Sequence, residues 1–248
     1  MEFVIMMRKK RQSKMGFVVA IGGGEMGRTK VYPDGKIKKY PIETLCIDEK
    51  ISQLPNKKRP KLLFLGTATR DRQSYIDTIK QYYENNFNCR VTFLKLSSGR
   101  PTYSTIKNKI LTADIIYVGS GDTLYMLNVW KKKKVIPLLK KAYKNGAVLC
   151  GISAGAICWF EFYDNMDYTN GDIKKFKLLK GLGLIKGFGV PHYDCLSQEL
   201  KQKIYEVLTQ KGLSGVTIDE CSAYFYNSNK SFSLSSKDNK KVSFIIPQ

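Results

Sequence analysis

Ser153 stands in Gly151-Ile152-Ser153-Ala154-Gly155, directly after the apolar run Ala147-Val148-Leu149-Cys150. A strand that turns sharply into a helix can hold a serine hydroxyl out at a sheet edge, and small residues on either side let the turn close. Gly151, Ala154 and Gly155 are those small residues, and Ala156-Ile157-Cys158-Trp159-Phe160 can continue as a helix. Such a serine attacks a carbonyl only when a base within hydrogen-bond reach takes its proton. The chain contains 1 histidine, so His192 is the only imidazole that could serve. The imidazole in turn needs an acid to fix its tautomer and stabilise its charged form. Asp219 and Glu220 follow the short apolar run Val216-Thr217-Ile218 and can supply one. Alone, the glycine pattern also fits an ordinary turn, and His192 a structural histidine at a strand end. Together, with an acid at a third strand end, they favour acyl transfer through a serine nucleophile.

These residues must be brought to one place by the elements around them. Strand-like and helix-like stretches alternate along the chain. Strands are expected over Phe17 to Ile21, Lys61 to Leu65, Arg90 to Leu96, Asp114 to Val118, Ala147 to Cys150, Leu182 to Val190 and Val216 to Ile218. Apolar residues recur at helical spacing from Tyr75 to Tyr83, Ile106 to Leu111, Leu124 to Leu139 and Leu196 to Leu208. Asp122 or Thr123 can cap the third of these helices, and Pro137 marks a break or a new first turn. Asp164 to Asp172 reads as a polar loop. Alternating aromatic and polar residues after Ser222 suggest antiparallel strands, with a polar turn over Ser236 to Lys240. Repeated β–α alternation implies an α/β fold, a mostly parallel sheet with helices on both faces. In such sheets ligands bind at the carboxyl edge, so the loops after Leu65, Val118, Cys150, Val190 and Ile218 are expected neighbours. The chain order is Ser, His, acid, whereas α/β-hydrolases run Ser, acid, His. That order and the short spacing from Ser153 to His192 argue against the hydrolase fold.

The 248 residues suffice for one large domain, expected over 15–248, with residues 1–14 as a loose extension and Met1, Met7 or Met15 as the start. No apolar run approaches the roughly 18 residues of a membrane span. The N-terminal apolar piece is short and precedes its basic cluster instead of following it, unlike a signal peptide. A cytoplasmic protein is therefore expected, with the six cysteines reduced and mostly buried. The formal net charge of +21 invites a nucleic-acid reading, but most of the 42 basic residues are scattered lysines. A solvated basic surface explains them, leaving only a weak affinity for polyanions. Neither C-x-x-C spacing nor a second histidine is present to build a zinc site. Gly22-Gly23-Gly24-Glu25-Met26-Gly27 matches G-x-G-x-x-G, but the Pro33-Asp34-Gly35 turn soon follows where a dinucleotide-binding helix should run. It reads as a glycine loop bordering the site.

Three motifs in order resemble the peptidase E family of serine peptidases, which also includes the cyanophycinases. They are Val118-Gly119-Ser120-Gly121-Asp122-Thr123, Gly151 to Ala156, and Pro191-His192 after a strand. The first is similar to the family's G-G-G-[ND]-T turn, with Ser120 in place of a glycine. The likeness runs from about Phe17 to the C-terminal strands. It implies a flavodoxin-like three-layer sandwich, as in the class I glutamine amidotransferases, with C-terminal antiparallel strands. It makes Ser153 the nucleophile, His192 the base and then the acid, and Glu220 the triad carboxylate in preference to Asp219. It places the oxyanion hole at the backbone N–H groups of Gly121 and Ala154. No cofactor and no metal are implied. The expected partner is a small peptide with N-terminal aspartate, or a β-aspartyl peptide as in the cyanophycinases. Arg70 and Arg72 are candidates to bind the acidic side chain, although a solvated loop explains them equally. A homodimer is allowed; specific nucleic acid and membrane partners are not expected. A catalytically silent basic binding protein and an esterase remain as alternatives.

Overall fold

The computed structural model describes residues 15–164 and 176–247. The 1–14 extension, and all of the expected polar loop beyond Asp164 up to Asp172, lie outside the described residues.

A seven-stranded sheet forms the centre, with five strands parallel. These are β1 (Val18–Ile21), β4 (Lys61–Leu65), β5 (Arg90–Phe93), β6 (Ile115–Val118) and β7 (Val148–Ile152), in the order β5-β4-β6-β7-β1. Alternate side chains of each strand face opposite layers. Val19, Ile21, Leu62, Phe64, Tyr117 and Cys150 meet α1 (Leu45–Gln53) and α2 (Gln73–Phe87). Val18, Ala20, Leu63, Leu65, Ile116 and Leu149 meet α3 (Tyr103–Thr112), α4 (Thr123–Lys132) and α5 (Val135–Lys144). This is the expected three-layer α/β sandwich. Asp122 caps α4, accepting the Tyr125 N–H at 2.9 Å. Lys134, at φ 55°, separates α4 from α5, and Pro137 lies in the first turn of α5.

Near the start, β2 (Thr29–Val31) and β3 (Ile37–Lys39) form an exposed hairpin around the Pro33-Asp34-Gly35 turn. The second half of the chain departs from a single sheet. The helix after Ser153, α6 (Ala154–Ile157), is one turn long, and Phe160 already begins β8 (Phe160–Asp164) instead of prolonging the helix. Both edges of β7 are taken, by β1 and β6, so the following strands cannot join it. They build a second five-stranded sheet from β8, β9 (Leu178–Lys180), β10 (Ile185–Val190), β11 (Gly215–Ile218) and β14 (Val242–Ile245). Its outer face carries α7 (Gln198–Lys211), through Leu200, Ile204 and Leu208. Within the stretch from Leu182 to Val190, Gly187 stands at φ +82°, where the pairing with β8 shifts register. The chain returns to the first sheet through β12 (Ser222–Asn227) and β13 (Lys230–Ser235), antiparallel on the edge of β1. Among the described residues, no helix is long and apolar enough to cross a membrane.

One core group sets a pH dependence of stability. Asp48 of α1 is wholly buried and accepts hydrogen bonds from Thr44 Oγ1 at 2.6 Å, Tyr83 OH at 2.5 Å and Tyr82 OH at 3.0 Å. Burial raises its pKa to about 6, against the opposing pull of the three hydroxyls. The unfolded carboxyl titrates near 4. The folded state therefore holds the proton more tightly, and stability falls as pH rises from about 4 to about 6, by roughly 2–3 kcal/mol. Asp48→Asn should abolish that slope. Thermal midpoints of both proteins from pH 4 to 7 check this: the wild-type advantage over the variant must shrink as pH rises, and a constant difference contradicts it.

Candidate active site

Ser153 sits where β7 breaks into α6, at φ 55° and ψ −115°, a conformation that L-residues avoid. Its N–H is tied to the Ile21 carbonyl at 3.0 Å. The turn closes because its glycines leave no room for a side chain. A Cβ on Gly155 would lie 2.2 Å from the Val118 carbonyl oxygen, and one on Gly151 2.3 Å from that of Gly155. Behind the turn Trp159 packs on Trp130 of α4, ring centroids 6.3 Å apart, and both are wholly buried. Such a pair contributes about 1 kcal/mol beyond its buried area. It anchors the short α6 that the backbone alone could not hold.

His192 comes from the second sheet. It follows β10 in the left-handed region, φ 52°, ahead of a 3₁₀ turn over Tyr193–Cys195. Its Nε2 lies 2.8 Å from Ser153 Oγ and its Nδ1 2.5 Å from Glu220 Oε1. Glu220 lies on the tight turn from β11 to β12, where the chain crosses from the second sheet to the first. Two contacts hold that turn on the end of β1: the Cys221 N–H donates to Gly23 O at 3.0 Å, and the Gly22 N–H to Ser222 O at 2.9 Å. Gly23 leaves the Glu220 carboxylate its place, since a Cβ there would fall 2.3 Å from Glu220 Oε2 and push that side chain aside. The Glu220 N–H donates to Asp194 Oδ1 at 2.8 Å, and Asp194 pairs with Lys240. Burial opposes the Asp194 charge, but the Lys240 ammonium and the Glu220 N–H outweigh it and hold the carboxyl below its usual range. Asp219 is turned away; its Oδ2 accepts the Lys241 N–H at 3.1 Å. Three residues from two sheets thus form one hydrogen-bonded line.

Gly121, at φ +133°, lies in the turn between β6 and α4, and Ala154, the first residue of α6, directly follows Ser153. Among the described residues neither N–H donates to a protein acceptor. Gly121 packs where a Cβ would strike the Ala68 carbonyl at 2.4 Å. Ser120, the departure from an all-glycine turn, donates its N–H to Tyr75 OH at 3.3 Å. Burial pushes the Tyr75 phenol up to about 12, so it stays neutral. With only one turn, α6 has little dipole to offer an anion, and the two N–H groups themselves would do that work.

A cavity of about 400 Å³ reaches the end of β7 at Ile152, the residue before the nucleophile, and is also lined by Ser120, Glu25, Arg28, Arg72 and Tyr75; Ser153, His192 and Glu220 are not among its lining residues. Arg72 lines it. Arg70 does not: it caps the 3₁₀ turn Thr67–Thr69 in the left-handed conformation, and its guanidinium stacks 4.4 Å above the Tyr125 ring. The Gly22 to Gly27 loop borders this cavity and makes a β-bridge, Met26 to Ile42, in place of a helix. Nothing in their spacing singles out Tyr75 or Asp194. Glu25 and Arg28 carried one signal, their place in a glycine loop at the sheet edge. Among the described residues, no three His, Cys, Asp or Glu side chains cluster to hold a metal.

The model of peptidase family S51 matches residues 35–234. The chain belongs to peptidase family S51. As a member of S51 it is a serine-type peptidase, a hydrolase. It is 31% identical over 227 residues to the uncharacterized peptidase YgaJ of Bacillus subtilis (strain 168), covering 91% of this chain and 90% of that one. A peptidase from an acI-B1 Actinobacterium superposes with a TM-score of 0.66 at 17% identity, covering 96% of this chain and 93% of that one. A putative peptidase E protein from Listeria monocytogenes EGD-e gives 0.63 at 16% identity, with 90% and 99% covered. At such identities these two structures speak for the S51 fold alone.

Proposed function

We propose that the protein hydrolyses small peptides, dipeptides with N-terminal aspartate foremost, through a Ser153–His192–Glu220 triad and an acyl-enzyme. The observation that carries this reading is the continuous line from Ser153 Oγ to His192 Nε2 at 2.8 Å and from His192 Nδ1 to Glu220 Oε1 at 2.5 Å. With its Nδ1 proton committed to Glu220, His192 leaves Nε2 as the acceptor for the serine proton. Ser153 Oγ attacks the peptide carbonyl as His192 takes that proton. The Gly121 and Ala154 N–H groups meet the oxyanion as it develops, which stabilises the transition state more than the bound peptide. His192 then protonates the leaving amine, and water attacks the acyl-enzyme by the reverse proton path.

The substrate assignment leans on Arg72, which lines the same cavity as Ile152, the residue before the nucleophile. A guanidinium fork suits a carboxylate, and Arg72 has no acidic partner among the described residues. The test is a panel of Asp-Leu, Asn-Leu, Ala-Leu and β-linked Asp-Leu. Asp-Leu should exceed Asn-Leu about 100-fold in kcat/KM, and Arg72→Ala should erase most of that margin. Equal rates on Asp-Leu and Asn-Leu, or a preference for the β-linked peptide, contradict the assignment.

A further inference from the structure

The cavity that Ile152 and Ser120 line, next to the nucleophile turn, holds more than a site for an acidic side chain. Its lining carries one carboxylate, Glu25, and three cations, Arg28, Lys30 and Arg72. Arg28 is already committed. Its Nε lies 3.1 Å and 2.8 Å from the two Glu25 carboxylate oxygens, its Nη2 2.6 Å from Oε1, and the guanidinium stacks 4.1 Å over Tyr40. Glu25 is therefore held in one orientation by a rigid fork. Its backbone is fixed as well: the Glu25 N–H donates to Glu43 Oε2 at 3.1 Å and its carbonyl accepts the Glu43 N–H at 2.7 Å. It stands two residues beyond Gly23, the residue packed against Glu220. A carboxylate has about four lone-pair sites, and Arg28 uses three contacts along one side, so an acceptor remains for a ligand donor.

We propose that Glu25 binds the free α-ammonium of the substrate's first residue, with Arg28 as the residue that positions it. The cavity then takes a ligand with one ammonium and at least one carboxylate, held between Glu25 and Arg72. This makes the enzyme an exopeptidase that reads the amino terminus, a feature that Arg72 alone does not provide. The inference rests on the serine-peptidase reading and deepens it by naming the group that selects free N-termini.

The experiment compares Asp-anilide with the succinyl anilide that lacks only the α-ammonium, and Ala-anilide with propionyl anilide, in wild type and Glu25→Gln. Gln keeps an acceptor for Arg28 and removes the charge. Wild type should prefer the amine-bearing member of each turned-over pair by about 100-fold or more in kcat/KM, since losing one partner of a charged hydrogen bond carries such a penalty. Glu25→Gln should cut that preference to below tenfold, through KM, while the deamino substrates keep their wild-type rates. An unchanged preference overturns the assignment. A parallel loss on both members of each pair also overturns it, because Glu25 would then support the site without reading the ammonium. If Ala-anilide outpaces Asp-anilide, the aspartate reading fails while the Glu25 result is still read from the alanine pair.

Discussion

Ser153→Ala should lower kcat/KM on any cleaved dipeptide by about 10⁴-fold or more, with the fold intact. The hydroxyl is the one atom in line with His192 Nε2, and nothing else on the turn can form the acyl bond. Whatever rate survives would come from the Gly121 and Ala154 donors acting on water attack, which in serine peptidases leaves a small residue of catalysis. Stability should barely move. The strain at φ 55° belongs to the backbone and is the same for alanine, and the lost hydrogen bond to His192 is part-buried and worth about 1 kcal/mol. Steady-state rates and a thermal midpoint, measured on one preparation, check both halves. A rate within tenfold of wild type would remove Ser153 from the mechanism.

Glu220→Gln is the second large effect, at about 10³–10⁴-fold in kcat. The side chain keeps its shape, so packing against Gly23 is preserved. Its amide can face Nδ1 of His192 with either an oxygen or an NH₂ group. The NH₂ orientation drives the imidazole proton to Nε2, where it points at Ser153 and cannot accept the serine proton. Even in the other orientation the charge that stabilises the imidazolium is gone. Asp219→Asn provides the contrast. Asp219 contacts the Lys241 N–H through a carboxylate oxygen that asparagine can reproduce, and the activity should stay within about threefold. If the two substitutions cost the same, the acid is misassigned.

Much of this site is legible in the residues themselves, because its constraints are local or unique. The small residues around Ser153 are demanded by contacts of 2.2 to 2.3 Å that any Cβ would make, so the turn announces itself in sequence. His192 needed no geometry, being the sole imidazole. The preference for Glu220 over its neighbour came only from the family resemblance. In the structure the two side chains differ because the turn faces Gly23 on one side and Lys241, just ahead of β14, on the other. The second sheet was not legible. Five-residue strands such as β8 read the same in either sheet, and only the short α6 and the two occupied edges of β7 send the chain elsewhere. Arg70 and Arg72 could not be told apart either. They flank the buried Asp71, and the left-handed backbone at Arg70 sends it onto Tyr125 while Arg72 reaches the cavity. Glu25 lies in the Gly22 to Gly27 loop and Arg28 directly follows it, and the G-x-G-x-x-G spacing there carries no sign of their pairing.

The most direct test of the central claim is to find the covalent bond itself. The protein is treated with a serine-directed fluorophosphonate, digested, and the adduct mapped by mass spectrometry, with His192→Ala and Glu220→Gln in parallel. The triad predicts a single adduct on the Ser153 peptide, formed at least about 10³-fold more slowly in His192→Ala, and peptide hydrolysis lost in step with labelling. An adduct on another residue, or full hydrolysis after Ser153 is completely labelled, would contradict it.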